Sequence, residues 1–330
     1  MTDNKCVFVL KEWHREAIEL SKLGYSSRQI ANRLDKGKSS VNDVLAKVNG
    51  SFYGWTEKPK LLVGEWIPAS KVPKAGPKIL FIDIETKPIL AHVWRLFDQN
   101  VGLNQIQEDW SILSYCAKWK GNDEVIYEDL EGAEDFEDDS KLLANLWKLM
   151  NEADIIVGQN SKRFDVKKIN ARLVLNGYPK PSTFRQIDTL NIAKAQFGFT
   201  SNKLAYMTDK LCTQYKKLEH GKFPGHLVWS ECMKNNPEAW AEMKLYNIND
   251  VLSLEELYDI LSSWDNTLPN FDVYVDEILD MSVWEEDGFH YSNMGKYKRY
   301  RNTETGVQRR SRVNLLTKEK RATLLSNISS

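Results

Sequence analysis

A chain of 330 residues with 42% hydrophobic content is long enough for one large core and one or two small modules. No apolar run approaches a membrane span, the N-terminus Met1-Thr2-Asp3-Asn4-Lys5 lacks a secretory layout, and the four cysteines form no Cys-x-x-Cys pair. These features argue against a membrane or secreted protein and for reduced thiols in the cytoplasm. The net charge of −1 is unevenly spread: residues 1–77 carry a balance of +5, residues 78–289 of −14, and residues 290–330 of +8. An acidic centre with two basic ends fits a body whose appendages grip a polyanion.

Residues 1–49 read as small helices. Ala17 to Leu23 is apolar at helical spacing and stops at Gly24. Ser26 with Gln29 is a capping-box pattern opening a second helix, with Ile30, Ala31 and Leu34 inward. Ser39 or Ser40 caps a third, with Val41, Val44 and Leu45 inward. The pattern resembles the helix-turn-helix of transposase- and resolvase-type DNA-binding proteins. That resemblance implies that the third helix presents Lys38, Ser39, Ser40, Asn42 and Asp43 to a major groove. A helical bundle serving protein contacts is the alternative. Residues 50–77, rich in Gly, Pro, Lys and Trp, read as a linker.

From 78 to 263 strand and helix patterns alternate. Strands are expected at Lys78–Glu85, Ile112–Lys120, Glu124–Asp129, Ile155–Gly158 and Phe184–Ile192. Helices are expected at Ser140–Asn151, Asp165–Asn176, Leu204–Leu211 and Pro237–Ser262. A strand meander followed by alternation predicts an α/β fold, a mixed sheet flanked by helices, with the small all-α module in front. Residues 264–289 read as an acidic linker and 290–330 as a basic tail.

Three stretches of the central body carry acids. In Phe81-Ile82-Asp83-Ile84-Glu85-Thr86, positions two apart on a strand put Asp83 and Glu85 on one face. The second runs from Asn160 through Phe164-Asp165 to open a helix. In the third, Tyr246-Asn247-Ile248-Asn249-Asp250, positions four apart share a helix face. Four carboxylates converging on one point make sense only where cations occupy it.

In this order and on these elements the motifs closely resemble the DEDD superfamily of 3′–5′ exonucleases, the group that includes polymerase proofreading domains. Leu245 stands where one branch carries His, and Tyr246 fits the other, so the resemblance is to the DEDDy subtype with a ribonuclease H-like fold. It implies Asp83, Glu85, Asp165, Tyr246 and Asp250 as catalytic residues, with the four acids holding two divalent cations, Mg²⁺ or Mn²⁺. Asp83 would bridge both ions, Glu85 and Asp250 would complete the nucleophile-side ion, and Asp165 would act through water. Tyr246 would orient the attacking water. Asn160, Thr86 and Phe164 are expected at the substrate, although Phe164 also reads as core. Gln159 replaces a His common in the family, and Asp188 reads as a strand-end carboxylate bonding backbone N–H groups. Lys216, Lys217, His220 and Lys222 serve either as a phosphate clamp or as solubilising charge.

Residues 288–312 resemble the second half of a zinc ribbon, with Asn302 and Thr305 where thiolates would stand, so no zinc is expected. A metal-free remnant offering basic and aromatic side chains to nucleic acid, or a disordered tail, both fit. The leading expectation is a stand-alone exonuclease acting on DNA, of phage-like composition, with replication or recombination proteins as candidate partners and the host cytoplasm as its location. An exoribonuclease of the same superfamily, a transposase-like enzyme and a non-enzymatic helix-turn-helix regulator are the competitors.

Overall fold

Three short helices open the computed structural model, which describes residues 12–22, 27–48, 60–63, 66, 76–217, 221–275, 278–292 and 294–325. They are α1 (Glu12–Lys22), α2 (Ser27–Arg33) and α3 (Lys38–Val48). Ala17, Leu20, Ile30, Ala31 and Val41 are buried between them, with Trp13, Leu34 and Leu45 packed alongside. The inward residues are the ones the helical spacing selects. Ser26 lies outside the described residues. α3 starts before Ser39 and Ser40, and the Val41 N–H donates to the Gly37 carbonyl, so both serines sit inside the first turn and neither caps it. Lys38, Ser39, Ser40 and Asn42 are exposed.

The stretch read as a linker contributes to the main sheet. β1 (Lys60–Val63) pairs in parallel with β6 (Glu124–Asp129) and forms an edge. Between them in sequence lie β2 (Ile79–Thr86), the two-stranded excursion β3 (Leu90–Ala91) and β4 (Ile106–Glu108), and β5 (Ile112–Trp119). The body continues with α4 (Ser140–Glu152), β7 (Ile155–Gly158), α5 (Asp165–Leu175), β8 (Arg185–Asp188), α6 (Thr189–Gln196), α7 (Leu204–Leu211), α8 (Leu227–Cys232) and α9 (Pro237–Ser262). The sheet order is β1-β6-β5-β2-β7-β8, mixed, with β2 antiparallel to β5 and parallel to β7.

Alternation along β2 divides the core. Leu80, Ile82 and Ile84 join the cluster containing Leu146, Ile169 and Trp240, while Ile79 and Phe81 join the one containing Met207, Val251 and Tyr258. Asp83 and Glu85 have the parity of Phe81, so they face the same layer as the C-terminal half of α9. α9 begins where Asn236 caps the Glu238 N–H and Pro237 takes the first position, whose N–H would lack a helical partner anyway. α5 is fixed by a buried ion pair. The Arg172 guanidinium grips both oxygens of Asp139 at 2.8 and 2.9 Å, and Asp139 also accepts from the Ile112 N–H at 3.0 Å. Breaking such a pair by removing one partner costs about 3–5 kcal/mol.

One expected strand divides. Residues 185–188 are strand, but Asp188 accepts from the Leu190 N–H and so caps α6, which takes residues 189–192 out of the sheet. No described helix is long and apolar enough to cross a membrane.

The described residues of the basic tail are folded. β9 (Trp284–Ser292), β10 (Gly295–Asn302) and β11 (Gln308–Arg310) form a three-stranded antiparallel sheet, followed by α10 (Lys318–Ala322). At the turn after β10, the Asn302 side-chain oxygen accepts from the N–H of Glu304 at 3.0 Å, the N–H of Thr305 at 2.8 Å and the Thr305 hydroxyl at 3.0 Å. Asn302 and Thr305 therefore close this turn by bonding each other.

Candidate active site

The four acids arrive from three elements at one end of the sheet. Asp83 and Glu85 sit near the end of β2 and are half-buried; Asp165 opens α5 and Asp250 lies inside α9, both buried. Each has taken a proton donor. Asp83 accepts from the Asn247 amide at 2.6 Å, Glu85 from the Trp229 indole at 3.0 Å, and Asp165 from the Ile84 N–H at 3.2 Å. Asp250 is paired with the Lys217 ammonium, which also lies 4.1 Å from the centre of the Tyr246 ring. The Ser114 hydroxyl, opposite Glu85 on β5, donates to Asn247 at 3.3 Å and helps hold the amide on Asp83.

Burial pushes every acid up, and repulsion from neighbouring carboxylates adds to it at Asp83, Glu85 and Asp165. Asp83 rises well above the ordinary carboxylate range, first through desolvation and then through Asp165, Asp250 and Glu85. Glu85 rises to about 8 through burial and Asp250, against the pull of Lys217 and Trp229. Asp165 rises to about 7, mainly through burial, although its backbone hydrogen bonds oppose this. Asp250 rises to about 6 through burial, held back by Lys217. Burial alone would lower the Lys217 pKa, yet Asp250 and Tyr246 carry it above its usual value. The Tyr246 phenol is pushed up to about 12 by burial and Asp250.

This donor set suits a hard divalent cation: four carboxylates, strained by like charge, and a buried Asp250 Oδ1 without a hydrogen-bond partner among the described residues. Among those residues, however, no three His, Cys, Asp or Glu side chains stand as ligands around a single point. The acids interact electrostatically and hold their individual donors instead of closing a cage. Cys116, Cys212 and Cys232 are buried and free of disulfides.

A family model described as "RNase_H superfamily" matches residues 80–262, more than half of the chain. The chain belongs to the RNase H superfamily. No curated protein sequence matches it. Among solved structures, the family B DNA polymerase of the hyperthermophilic archaeon Pyrobaculum calidifontis is 17% identical, with a TM-score of 0.44 over 61% of this chain and 27% of the polymerase. This chain thus spans about a quarter of the polymerase's length. RNase D of Trypanosoma brucei is 13% identical, with a TM-score of 0.38 over 66% of this chain and 69% of the RNase D.

Two further expected site residues of this RNase H-superfamily chain, Thr86 and Phe164, adjoin the acids in sequence. Thr86 ends β2, half-buried, at a register shift beside Glu85. Phe164 is the N-cap of α5 and is 38% exposed, so it is not a core residue. Asn160 adopts the left-handed backbone region at φ 62°, held by its N–H donating to Asp188 at 2.9 Å. Asp188 takes three backbone N–H groups in all, from Asn160, Lys162 and Leu190, which is the structural role expected of it. Gln159 is structural as well, donating to the Asn202 carbonyl at 3.0 Å and accepting from the Thr189 hydroxyl. Gly158 precedes this turn because a Cβ there would meet the Ser161 side chain at 2.5 Å and the Ile82 carbonyl at 3.3 Å.

Beside the acids lies an open cavity of about 540 Å³ lined by Gln159, Asn160, Leu190, Asn202, Lys203, Leu204, Ala205 and Lys217. Lys217 belongs to both the cavity and the acid cluster. Sequence reasoning left Lys217 between two roles and assigned none to Asn247, Trp229 or Ser114. Asn247 stands inside the third motif, next to Tyr246, which was the signal available for it.

Proposed function

We propose that this chain is a divalent-cation-dependent 3′–5′ exonuclease that hydrolyses the phosphodiester bonds of DNA and releases nucleoside 5′-monophosphates. The observation that carries this reading is the cluster itself: four desolvated carboxylates from three elements, three of them raised further by neighbouring acids, an arrangement unfavourable without compensating positive charge. Asp83, Glu85, Asp165 and Asp250 would hold two ions, and Mg²⁺ or Mn²⁺ suit their hard oxygens. Bound there, such ions lower the pKa of a water and offset charge on the departing oxygen.

The chain's own residues supply the rest. Tyr246, one helical turn from Asp250, stays protonated near neutral pH and so orients a water by hydrogen bonding; it does not act as the base. Asn247 fixes the orientation of Asp83, and Trp229 that of Glu85. The cavity bearing Asn160, Lys203 and Lys217 takes the terminal nucleotide, with Thr86 and Phe164 at its approaches. The exposed start of α3, with Lys38, Ser39, Ser40 and Asn42, grips DNA in the helix-turn-helix manner. Replication or recombination proteins are the proposed partner class.

The test compares 3′- and 5′-labelled DNA and RNA, single- and double-stranded, with Mg²⁺ and with chelator, for wild type and Asp83→Ala. Early loss of a 3′ label as mononucleotide from DNA, abolished by chelator and by the substitution, is the expected result. Internal cuts, or hydrolysis that survives chelation, would contradict the reading, and hydrolysis of RNA alone would make the chain an exoribonuclease. Deleting residues 1–49 should weaken salt-sensitive DNA binding and spare hydrolysis of short oligonucleotides.

A further inference from the structure

Strands β9 and β10 pair Phe289 with Lys298 and Tyr291 with Lys296, so these four side chains share one face of the terminal sheet. Phe289 is 42% exposed and Tyr291 67%, with ring centroids 6.5 Å apart. The Lys296 ammonium lies 3.9 Å from the centre of the Phe289 ring and 5.9 Å from that of Tyr291. None of the four belongs to the acid cluster or its cavity.

Two neighbouring rings left in water mark a surface that awaits a partner. The charge on the sheet identifies the partner's chemistry. Of the three acids of β9, Glu286 is matched by Lys298 at 2.5 Å and Asp287 by Arg299 and Arg301 at 3.3 Å each, while Glu285 lies opposite Arg301 in the register. Lys296 has rings beneath it, and residues 290–330 hold ten Lys and Arg against two Asp and Glu. An apolar protein partner would desolvate that ammonium without supplying a counter-charge, whereas a polyanion supplies one. A duplex hides the faces of its bases, while a single strand offers them for stacking.

We propose that the β9–β10 face is a platform for single-stranded nucleic acid, on which Phe289 and Tyr291 stack bases while Lys296 and Lys298 meet phosphates. The exposed Lys298–Glu286 pair is cheap to exchange for a phosphate. The inference rests on nucleic acid being what this chain binds and on no step of hydrolysis, and it places a second contact apart from the terminal-nucleotide cavity.

The test measures fluorescence anisotropy of a labelled oligodeoxythymidylate of about 20 nucleotides with the full chain in chelator. Phe289→Leu/Tyr291→Leu keeps apolar bulk but removes the stacking faces, and should raise Kd about tenfold or more. Lys296→Gln should make the dependence of log K on log salt shallower by about 0.7. Hydrolysis of a dinucleotide with Mg²⁺ should be unchanged in both variants, which also shows that the body remains folded. A Kd within about twofold of wild type for the double variant overturns the proposal, and so does a duplex whose binding is equally tight and equally sensitive to the substitutions. Wild-type binding that responds as expected without any hydrolysis would sink the nuclease reading and leave the platform standing.

Discussion

In the central sheet β5 is buried at all 8 of its positions, whereas none of the 9 positions of β9 is buried. The two sheets put charge to opposite uses. Around β2 and β5, desolvation holds carboxylates far from their solution behaviour, the property on which the proposed cation binding rests. On β9 and β10, charged and aromatic groups stay in water, where ion pairs are weak and exchangeable and the surface is suited to reversible contact. A carboxylate of the first kind should be indispensable to chemistry, while a charge of the second kind should tune affinity.

The sharpest way to break this comparison is Asp83→Asn. Hydrolysis should fall about a thousandfold or more, since a ligand to the proposed ions is lost at a cost of several kcal/mol. The melting temperature at pH 8 in chelator should not drop, because the neutral amide adds no charge to a pocket that already disfavours the carboxylate and the Asn247 hydrogen bond retains an acceptor. Steady-state kinetics and calorimetry check the two halves separately.

Next in size is a contrast of ion pairs. Arg172→Met leaves buried Asp139 uncompensated and should cost about 3–5 kcal/mol in urea denaturation. Arg301→Met on the terminal sheet breaks an exposed pair and should change stability by less than about 1 kcal/mol. Equal effects would erase the distinction between the two regions.

A third difference lies in pH. Glu85, Asp165 and Asp250 titrate in the folded state at about 8, 7 and 6, above the range of exposed carboxylates. The folded state therefore binds protons more tightly than the unfolded one. The stability this contributes is fully present below about pH 4 and is lost as pH rises through the folded values. In chelator, the melting temperature should fall between about pH 5 and 8, and Mg²⁺ should flatten the decline. Activity with Mg²⁺ should rise over the same window as the carboxylates ionise. A chelated protein equally stable across that range would contradict the shifted acids.

The smallest effect is expected at the terminal turn. Asn302→Ala removes the acceptor for three hydrogen bonds, so amide exchange across residues 295–310 should quicken about tenfold, with global unfolding little changed.

Much of the central sheet was legible because its signals are local. The apolar run at Ile155–Gly158 and the cap-and-proline start at Asn236-Pro237 mark their elements from within. The three acidic motifs were visible for the same reason, since parity on a strand and spacing on a helix need no knowledge of the fold. β1 was hidden because four residues in a Gly- and Pro-rich stretch become a strand only by pairing with β6. Residues 189–192 continue an apolar run, and only the capping bond of Asp188 turns them into helix. The donors around the acids left no local trace: Trp229 reaches Glu85 across 144 positions and Lys217 reaches Asp250 across 33. A lysine bound for a buried carboxylate has the same sequence signature as one bound for water.

The most direct measurement of the central claim is Mn²⁺ binding to the full chain, followed by titration calorimetry at about pH 7.5 for wild type and Asp83→Asn. Wild type should bind about two ions with release of protons from the raised carboxylates, and the variant should lose that binding. A wild type that binds no Mn²⁺ at millimolar concentration, or a variant that binds as wild type does, would contradict the assignment of these four acids to a metal-dependent nuclease.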